Sequence, residues 1–238
     1  MSSTNPYSAT LHKIGQDIWL ADGPTVSFYG FAYPTRMAVI RLSDGSLFVW
    51  SPIPPTDELR RTVDALGRVA HLVTPNYLHH LWLRDWGYCY PRARLYAPPG
   101  LRKRRSDLSF DAVLGNAPVG FWARDINQIA IPGSFMMTEI VFLHRTSRTV
   151  LFGDLIENFS PDWFKGWRGR IARWDGIVSP DFGAPRELRW TFLRRKSARA
   201  AVQTILDFEP RNAVIAHGEI ATGNGTEFVR RGFRWLFD

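Results

Sequence analysis

Cysteine is nearly absent: the 238 residues hold one, Cys89. A single thiol excludes an intramolecular disulfide and every thiolate-rich zinc module, so any metal site here must be built from imidazoles and carboxylates. Histidine is scarce as well, six in all, and two of the six stand side by side as His79 and His80. Long apolar runs are missing. Nothing approaches the ~20 residues that cross a bilayer, and the opening MSSTNPYSATLHK lacks the basic and then apolar blocks of a secretory signal. The expectation is a cytoplasmic protein without a transmembrane segment. Internal repeats and low-complexity tracts are also lacking. With 45% hydrophobic and 14% aromatic residues the chain can bury a full core, and one domain over residues 1–238 is the expected count.

Acidic residues are outnumbered, 22 against 30 Lys and Arg, for a formal net charge of +8. Such a balance raises nucleic acid or an anionic membrane surface as partners. Most of the charge is arginine scattered along the chain. The densest pieces are LRKRRS (101–106) and FKGWRGRIARW (164–174), where Trp and Arg interleave as they would against lipid headgroups or nucleotides. The simpler expectation is a solvated basic surface with the Trp rings packed inward.

The pattern of elements alternates strands with a few capped helices. RMAVIRLSDGSLFVW (36–50) is two apolar runs about Asp44-Gly45, a hairpin signal. Thr56 is a good N-cap for a helix that shows Leu59, Val63 and Leu66 on one face and stops at Gly67. VAHLVTP (69–75) reads as a buried strand. Short strands are expected in ARLYAPPG and INQIAIPG, both ending in Pro-Gly turns. EIVFLHRTSRTVLFGD (139–154) gives a hairpin about Thr146-Ser147, and residues 155–196 look loop-rich. Ser197 is expected to cap a helix ended by Pro210, NAVIAHG (212–218) is another buried strand, and Thr226 is expected to cap a last helix.

Polar residues fall at the carboxyl ends of these strands. Thr74 closes one just before the His pair, Asp154 closes the hairpin, and His217 closes NAVIAHG. In open α/β sheets that edge is where ligands collect. If Thr146-Ser147 is the two-residue turn, residue 145 pairs with 148, and counting outward sets Glu139 opposite Asp154. Facing carboxylates repel unless a cation or proton lies between them. Three imidazoles and a carboxylate suit zinc or iron, and imidazole discriminates weakly among divalent metals.

The order TPNYLHH, IPGSFMMTEIVFLHRTSRTVLFGD, VIAHGE resembles the metallo-β-lactamase superfamily, and most closely its DUF4336 branch, which shares PN..HH and an SRT...D hairpin. The resemblance implies an α/β (α+β) fold, the metallo-β-lactamase-like αββα sandwich. The superfamily's HxHxDH loop, laid on residues 75–80, finds Pro75, Tyr77, His79 and His80, and the histidine expected after the PG turn is Ser134. The first metal site is therefore lost, whereas the second keeps His80 and His217, has His79 in place of its aspartate, and retains Asp154. The implied site holds one divalent ion, zinc or iron, on His79, His80, Asp154 and His217. Glu139 is the candidate catalytic base, or else an orienting neighbour of a ligand, and Asn76 is a candidate support for the loop. His12, His71 and His144 are expected to be structural or on the surface. The functional expectation is a mononuclear metal-dependent hydrolase of an unidentified small-molecule substrate. The alternatives are a non-catalytic metal- or ligand-binding descendant and a peripheral membrane or nucleic-acid binding module.

Overall fold

The Asp44-Gly45 turn forms as its sequence demands, with Gly45 at φ +80° and the Asp44 carboxylate accepting from the Ser46 N–H at 2.9 Å. It joins β3 (Phe31–Arg41) to β4 (Ser46–Trp50) within a seven-stranded sheet. Ahead of them lie β1 (His12–Gly15) and β2 (Ile18–Phe28), and beyond them β5 (Arg68–Val73), β6 (Arg94–Ala97) and β7 (Ala112–Val113). The strands sit in chain order, antiparallel from β1 to β4 and parallel from β4 to β7. A second sheet has the order β12-β11-β10-β9-β8, from β8 (Ile126–Ile131), β9 (Glu139–His144), β10 (Thr149–Phe152), β11 (Asn212–Ile215) and β12 (Ala221–Thr222). This computed structural model describes residues 9–238.

Alternation along the strands divides the apolar side chains into layers. Ile18, Leu20, Ala38, Ile40, Phe48 and Trp50 of the first sheet pack against Ile140, Phe142, Leu151 and Val214 of the second, with Phe48 and Phe142 meeting edge to face at 5.4 Å. The opposite faces bury Met37, Val39 and Leu47 under α1 (Asp57–Asp64) and α2 (Leu83–Cys89). On the far side, Val141, Val150 and Ile215 lie under α6 (Arg195–Asp207), α7 (Gly225–Gly232) and α8 (Arg234–Phe237). The outcome is helix, sheet, sheet, helix, as expected. The chain also forms the short helices α3 (Leu101–Arg104) and α5 (Arg186–Trp190) and the longer α4 (Gly166–Asp175).

Thr56 caps α1, its Oγ1 accepting from the Leu59 N–H at 3.2 Å. Two other expected caps are corrected. Ser197 lies inside α6 and its hydroxyl donates to the Arg194 carbonyl, because the helix already begins at Arg195. Thr226 lies inside α7 and donates to the Pro210 carbonyl, leaving Asn224 at the cap position. Residues 155–196 are more ordered than their Gly and Pro content suggests, since they hold α4 and α5.

His71 and His144 are buried structural residues. The first bonds Tyr96 Oη and the second Ser147 Oγ, and burial pushes both imidazoles down to about 4 from 6.5. A histidine with a depressed folded pKa binds its proton more readily when unfolded. Its contribution is therefore intact above pH 6.5 and is lost as the pH falls toward 4. Urea melts at stepped pH should show stability declining across that window, and His144→Gln should flatten the decline; an equally steep decline in the variant would contradict this source.

Candidate metal centre

The centre is assembled by strand register. Parallel pairing sets Phe152 of β10 beside Ile215 of β11, so two residues later Asp154 arrives beside His217 at the carboxyl edge. On the other side of β10, Thr149 pairs with His144 and Leu151 with Phe142. The same count outward sets Glu139 opposite Asp154, as the sequence predicted. From the first sheet, the loop after β5 carries Asn76 and His79, and Ser51 stands at the end of β4. The Ile140 N–H bonds the Pro75 carbonyl at 2.8 Å and joins the two sheet edges.

Around Asp154 the polar groups are tightly arranged. His217 Nε2 lies 3.1 Å from Oδ1 and His79 Nε2 lies 3.3 Å from Oδ2. His217 Nδ1 is 2.7 Å from the Pro34 carbonyl oxygen. A carbonyl only accepts, so Nδ1 carries the proton and, in the neutral ring, Nε2 turns a lone pair toward Asp154. His79 Nδ1 bonds Ser51 Oγ at 2.8 Å, and its buried Nε2 has no hydrogen-bond partner among the described residues. Burial alone would raise the Asp154 pKa, but His79 and His217 outweigh it and hold the carboxyl well below the usual range. Ligand atoms of His79, Asp154 and His217 all lie within 4.8 Å of one another. Zinc bonds near 2.0–2.1 Å separate tetrahedral ligands by about 3.3 Å, close to the two spacings seen. An orphaned imidazole nitrogen, a second imidazole fixed in the ligating tautomer and an ionised carboxylate together fit a divalent metal ion.

Glu139 stands behind this cluster. It is fully buried, its Oε1 accepts from the Gly153 N–H at 2.8 Å, and its Oε2 accepts from the Asp154 N–H at 2.7 Å and Asn76 Nδ2 at 3.0 Å. Burial first, and then the Asp154 charge, push its pKa upward. Asn76 Nδ2 also donates to Asp154 Oδ2 at 2.6 Å, while Asn76 Oδ1 accepts from the Leu78 N–H and turns the loop. Gly153 is required by this crowding: a Cβ there would lie 2.8 Å from Asn76 Nδ2 and 2.9 Å from Glu139 Oε2. Gly218 is required too, at φ +103° with the Asn158 carbonyl oxygen 2.1 Å from any Cβ.

The structure brings His79, Asp154 and His217 together, and it does not bring His80. That side chain turns away, its Nδ1 accepting from the Arg105 guanidinium at 3.0 Å, while Arg105 also donates to the His80 carbonyl. Burial, and then Arg105, depress the His80 pKa. The physical reason is the turn through residues 77–82, in which successive side chains diverge and Arg105 captures the second ring. His80 still lines the cavity of about 530 Å³ onto which the cluster opens, along with Tyr33, Tyr77 and Glu157. Glu157 is buried, its Oε2 lacks a partner among the described residues, and burial followed by the Asp154 charge raises its pKa well above the ordinary range. The sequence reading missed Glu157 and the supports Ser51, Pro34 and Arg36. Arg36 Nη1 donates to the Ile215 and Gly218 carbonyls at 2.8 and 2.9 Å and frames His217. No short motif marks any of these four.

The positions laid on the superfamily's other metal site hold no ligand. Tyr77 lies under the Arg104 guanidinium at 4.1 Å, and Ser134 Oγ bonds Thr191 Oγ1 at 2.6 Å. A family model described as a domain of unknown function, DUF4336, matches residues 16–166. The chain belongs to that family. No curated protein matches the sequence. Among solved structures, the DIM-1 metallo-β-lactamase exposed to ceftazidime is 15% identical, with a TM-score of 0.65 over 96% of this chain and 98% of that one. The FIM-1 enzyme from Pseudomonas aeruginosa, in its mono-zinc form, is 11% identical, with a TM-score of 0.65 over 97% of this chain and 96% of that one. The metal-soaked flavodiiron core of Flv1 from Synechocystis is 13% identical, with a TM-score of 0.64 over 96% of this chain but 61% of that one. These likenesses show a metallo-β-lactamase fold for the DUF4336 chain.

Glu139→Gln should test the support role of this residue. An amide in that place can accept on one side only and turns N–H against N–H on the other, which should cost about 3 kcal/mol. A lowered melting temperature in metal-free protein is expected; unchanged stability would show that the Gly153 and Asp154 amides do not depend on the carboxylate.

Proposed function

We propose that this DUF4336 protein is a mononuclear metal-dependent hydrolase, with His79, Asp154 and His217 holding one divalent ion, zinc or iron. The observation that supports it most is the pair of imidazole nitrogens turned on one buried carboxylate, one of them orphaned and the other fixed as an acceptor by Pro34. An ion held there supplies Lewis acidity, polarising a carbonyl or phosphoryl group and making water more acidic. Three protein ligands also match the catalytic pattern, in which a coordination position stays open, better than the closed four-ligand structural pattern.

The chain's own residues supply the rest. Asn76 donates to the Asp154 carboxylate, Glu139 holds Asn76 and the Asp154 N–H, and Ser51 and Pro34 orient the two rings. Glu157 faces the cavity with its pKa raised by burial and then by the Asp154 charge, and in this scheme it is the group that donates a proton to a departing oxygen or nitrogen. Glu139 is a positioning residue in this scheme, because three N–H donors and complete burial keep it from the cavity. The substrate is a small molecule that fits about 530 Å³.

Elemental analysis of protein purified without an affinity tag should find about one zinc or iron per chain. His79→Ala and His217→Ala should each lose it, whereas His80→Ala and His144→Ala should retain it. Loss of metal in His80→Ala would return that residue to the ligand set. Glu157→Gln should keep the ion and lower kcat on whichever ester, amide or phosphoester is turned over, by about 10²-fold or more. Lowering the pH should release the ion, since protons compete for the same imidazole lone pairs; metal-free protein that refuses added zinc and iron would remove the proposal.

A further inference from the structure

Helix α4 faces the wrong way for a core helix. Trp167, Ile171 and Trp174 stand at i, i+4 and i+7, the spacing that gathers three side chains on one face and that ordinarily marks a buried stripe. Here Gly169, Ala172 and Asp175 are buried, and Trp167, Ile171 and Trp174 remain 50%, 43% and 58% exposed. The inward side has no room for larger residues: a Cβ on Gly169 would lie 2.4 Å from the Phe164 carbonyl oxygen. So the simpler expectation for this segment, with its Trp rings packed inward, is corrected. The small residues went inside.

The apolar face extends past the helix at both ends. Trp190, 64% exposed, meets Trp174 edge to face at 6.2 Å. At the other end Trp167 meets Phe31 at 5.9 Å, and Arg168 Nε donates to the Gly30 carbonyl, which joins α4 to the tip of the β2–β3 hairpin. That tip carries exposed Phe28 and Tyr29, and both also line the cavity of the metal centre. Patch and cavity mouth thus share a rim. Cations border the stripe throughout, from exposed Lys165, Arg168, Arg170 and Arg173, while the one carboxylate of α4, Asp175, is buried.

We infer that this face docks on an anionic lipid bilayer, with the Trp rings and Ile171 in the interfacial layer and the arginines against phosphate headgroups. Tryptophan suits that layer because it combines a large apolar ring with a polar N–H, and arginine can keep its charged end in water while its stem lies along apolar surface. Charge argues against a second copy of this chain, since two such faces would set three arginines against three. Ring geometry argues against nucleic acid. Bases stack on open aromatic faces, but Arg168 already lies over the Trp167 ring at 4.6 Å and Arg186 over Trp174 at 5.2 Å, and Ile171 offers no stacking face at all. No helix among the described residues is long and apolar enough to cross a membrane, so the contact is peripheral.

The test is sedimentation of the full chain with vesicles of phosphatidylcholine alone and with vesicles containing phosphatidylglycerol. It needs no substrate and no metal, so its result is independent of the hydrolase proposal. Binding is expected on the anionic vesicles only, with a blue shift of tryptophan emission. Replacing both rings, Trp167→Ser with Trp174→Ser, should weaken binding about tenfold or more and leave the melting temperature unchanged. Ile171→Glu, a single exposed change, should weaken it in the same direction. Absence of binding to anionic vesicles would overturn the inference. So would unaltered binding by both variants, tighter binding to a single-stranded oligonucleotide at the same salt, or a dimer in solution that Ile171→Glu dissolves.

Discussion

A buried carboxylate that turns both of its oxygens toward imidazole nitrogens is the constraint from which the rest of the centre follows. Asp154 is taken out of water where an unpaired charge would be costly, and Glu139 and Glu157 are buried near it. The fold responds in two ways. It surrounds Glu139 with three N–H groups, which stabilise its charge without neutralising it. It also brings His79 and His217 to Asp154 from different sheets, each with its outer nitrogen engaged by a neutral group. What remains is a gap between donors that a cation satisfies better than a hydrogen bond does.

Much of this was legible in the sequence because it depends on counting. Antiparallel pairing is set by the turn, so Thr146-Ser147 was enough to bring Glu139 opposite Asp154. The close approaches at Gly153 and Gly218 were not read from the sequence, where both glycines stood only as parts of the GD and HG pairs. Asp154 and His217 came within reach of one another through parallel strands that read as apolar runs ending in a polar residue.

What the sequence did not disclose depends on direction rather than order. His79 and His80 are adjacent in a turn, and which ring faces Asp154 is decided by Arg105, 25 residues downstream. Pro34 and Arg36 act through contacts formed only when β3 of the first sheet meets the end of β11, and Ser51 through one between the end of β4 and the loop after β5. The stripe of α4 illustrates the same difficulty. Spacing at i, i+4 and i+7 reveals a common face but carries no sign, and the small residues at 169 and 172 decide that the bulky side turns outward.

The choice of outer partners for the two rings has an electrostatic consequence. A carboxylate hydrogen-bonded to a ligating imidazole makes it more basic and shares negative charge with the ion. Here the partners are a serine hydroxyl and a proline carbonyl, both uncharged. Asp154 would then be the single anionic ligand of a divalent ion, leaving the centre with a net positive charge that only Glu139, behind Asp154, partly offsets. Such a centre favours the binding of an anionic or strongly polar oxygen from the cavity side. Glu157 lies on the wall of the same cavity, where burial and then the Asp154 charge raise its pKa, whereas a cation held at the centre acts on it in the opposite direction.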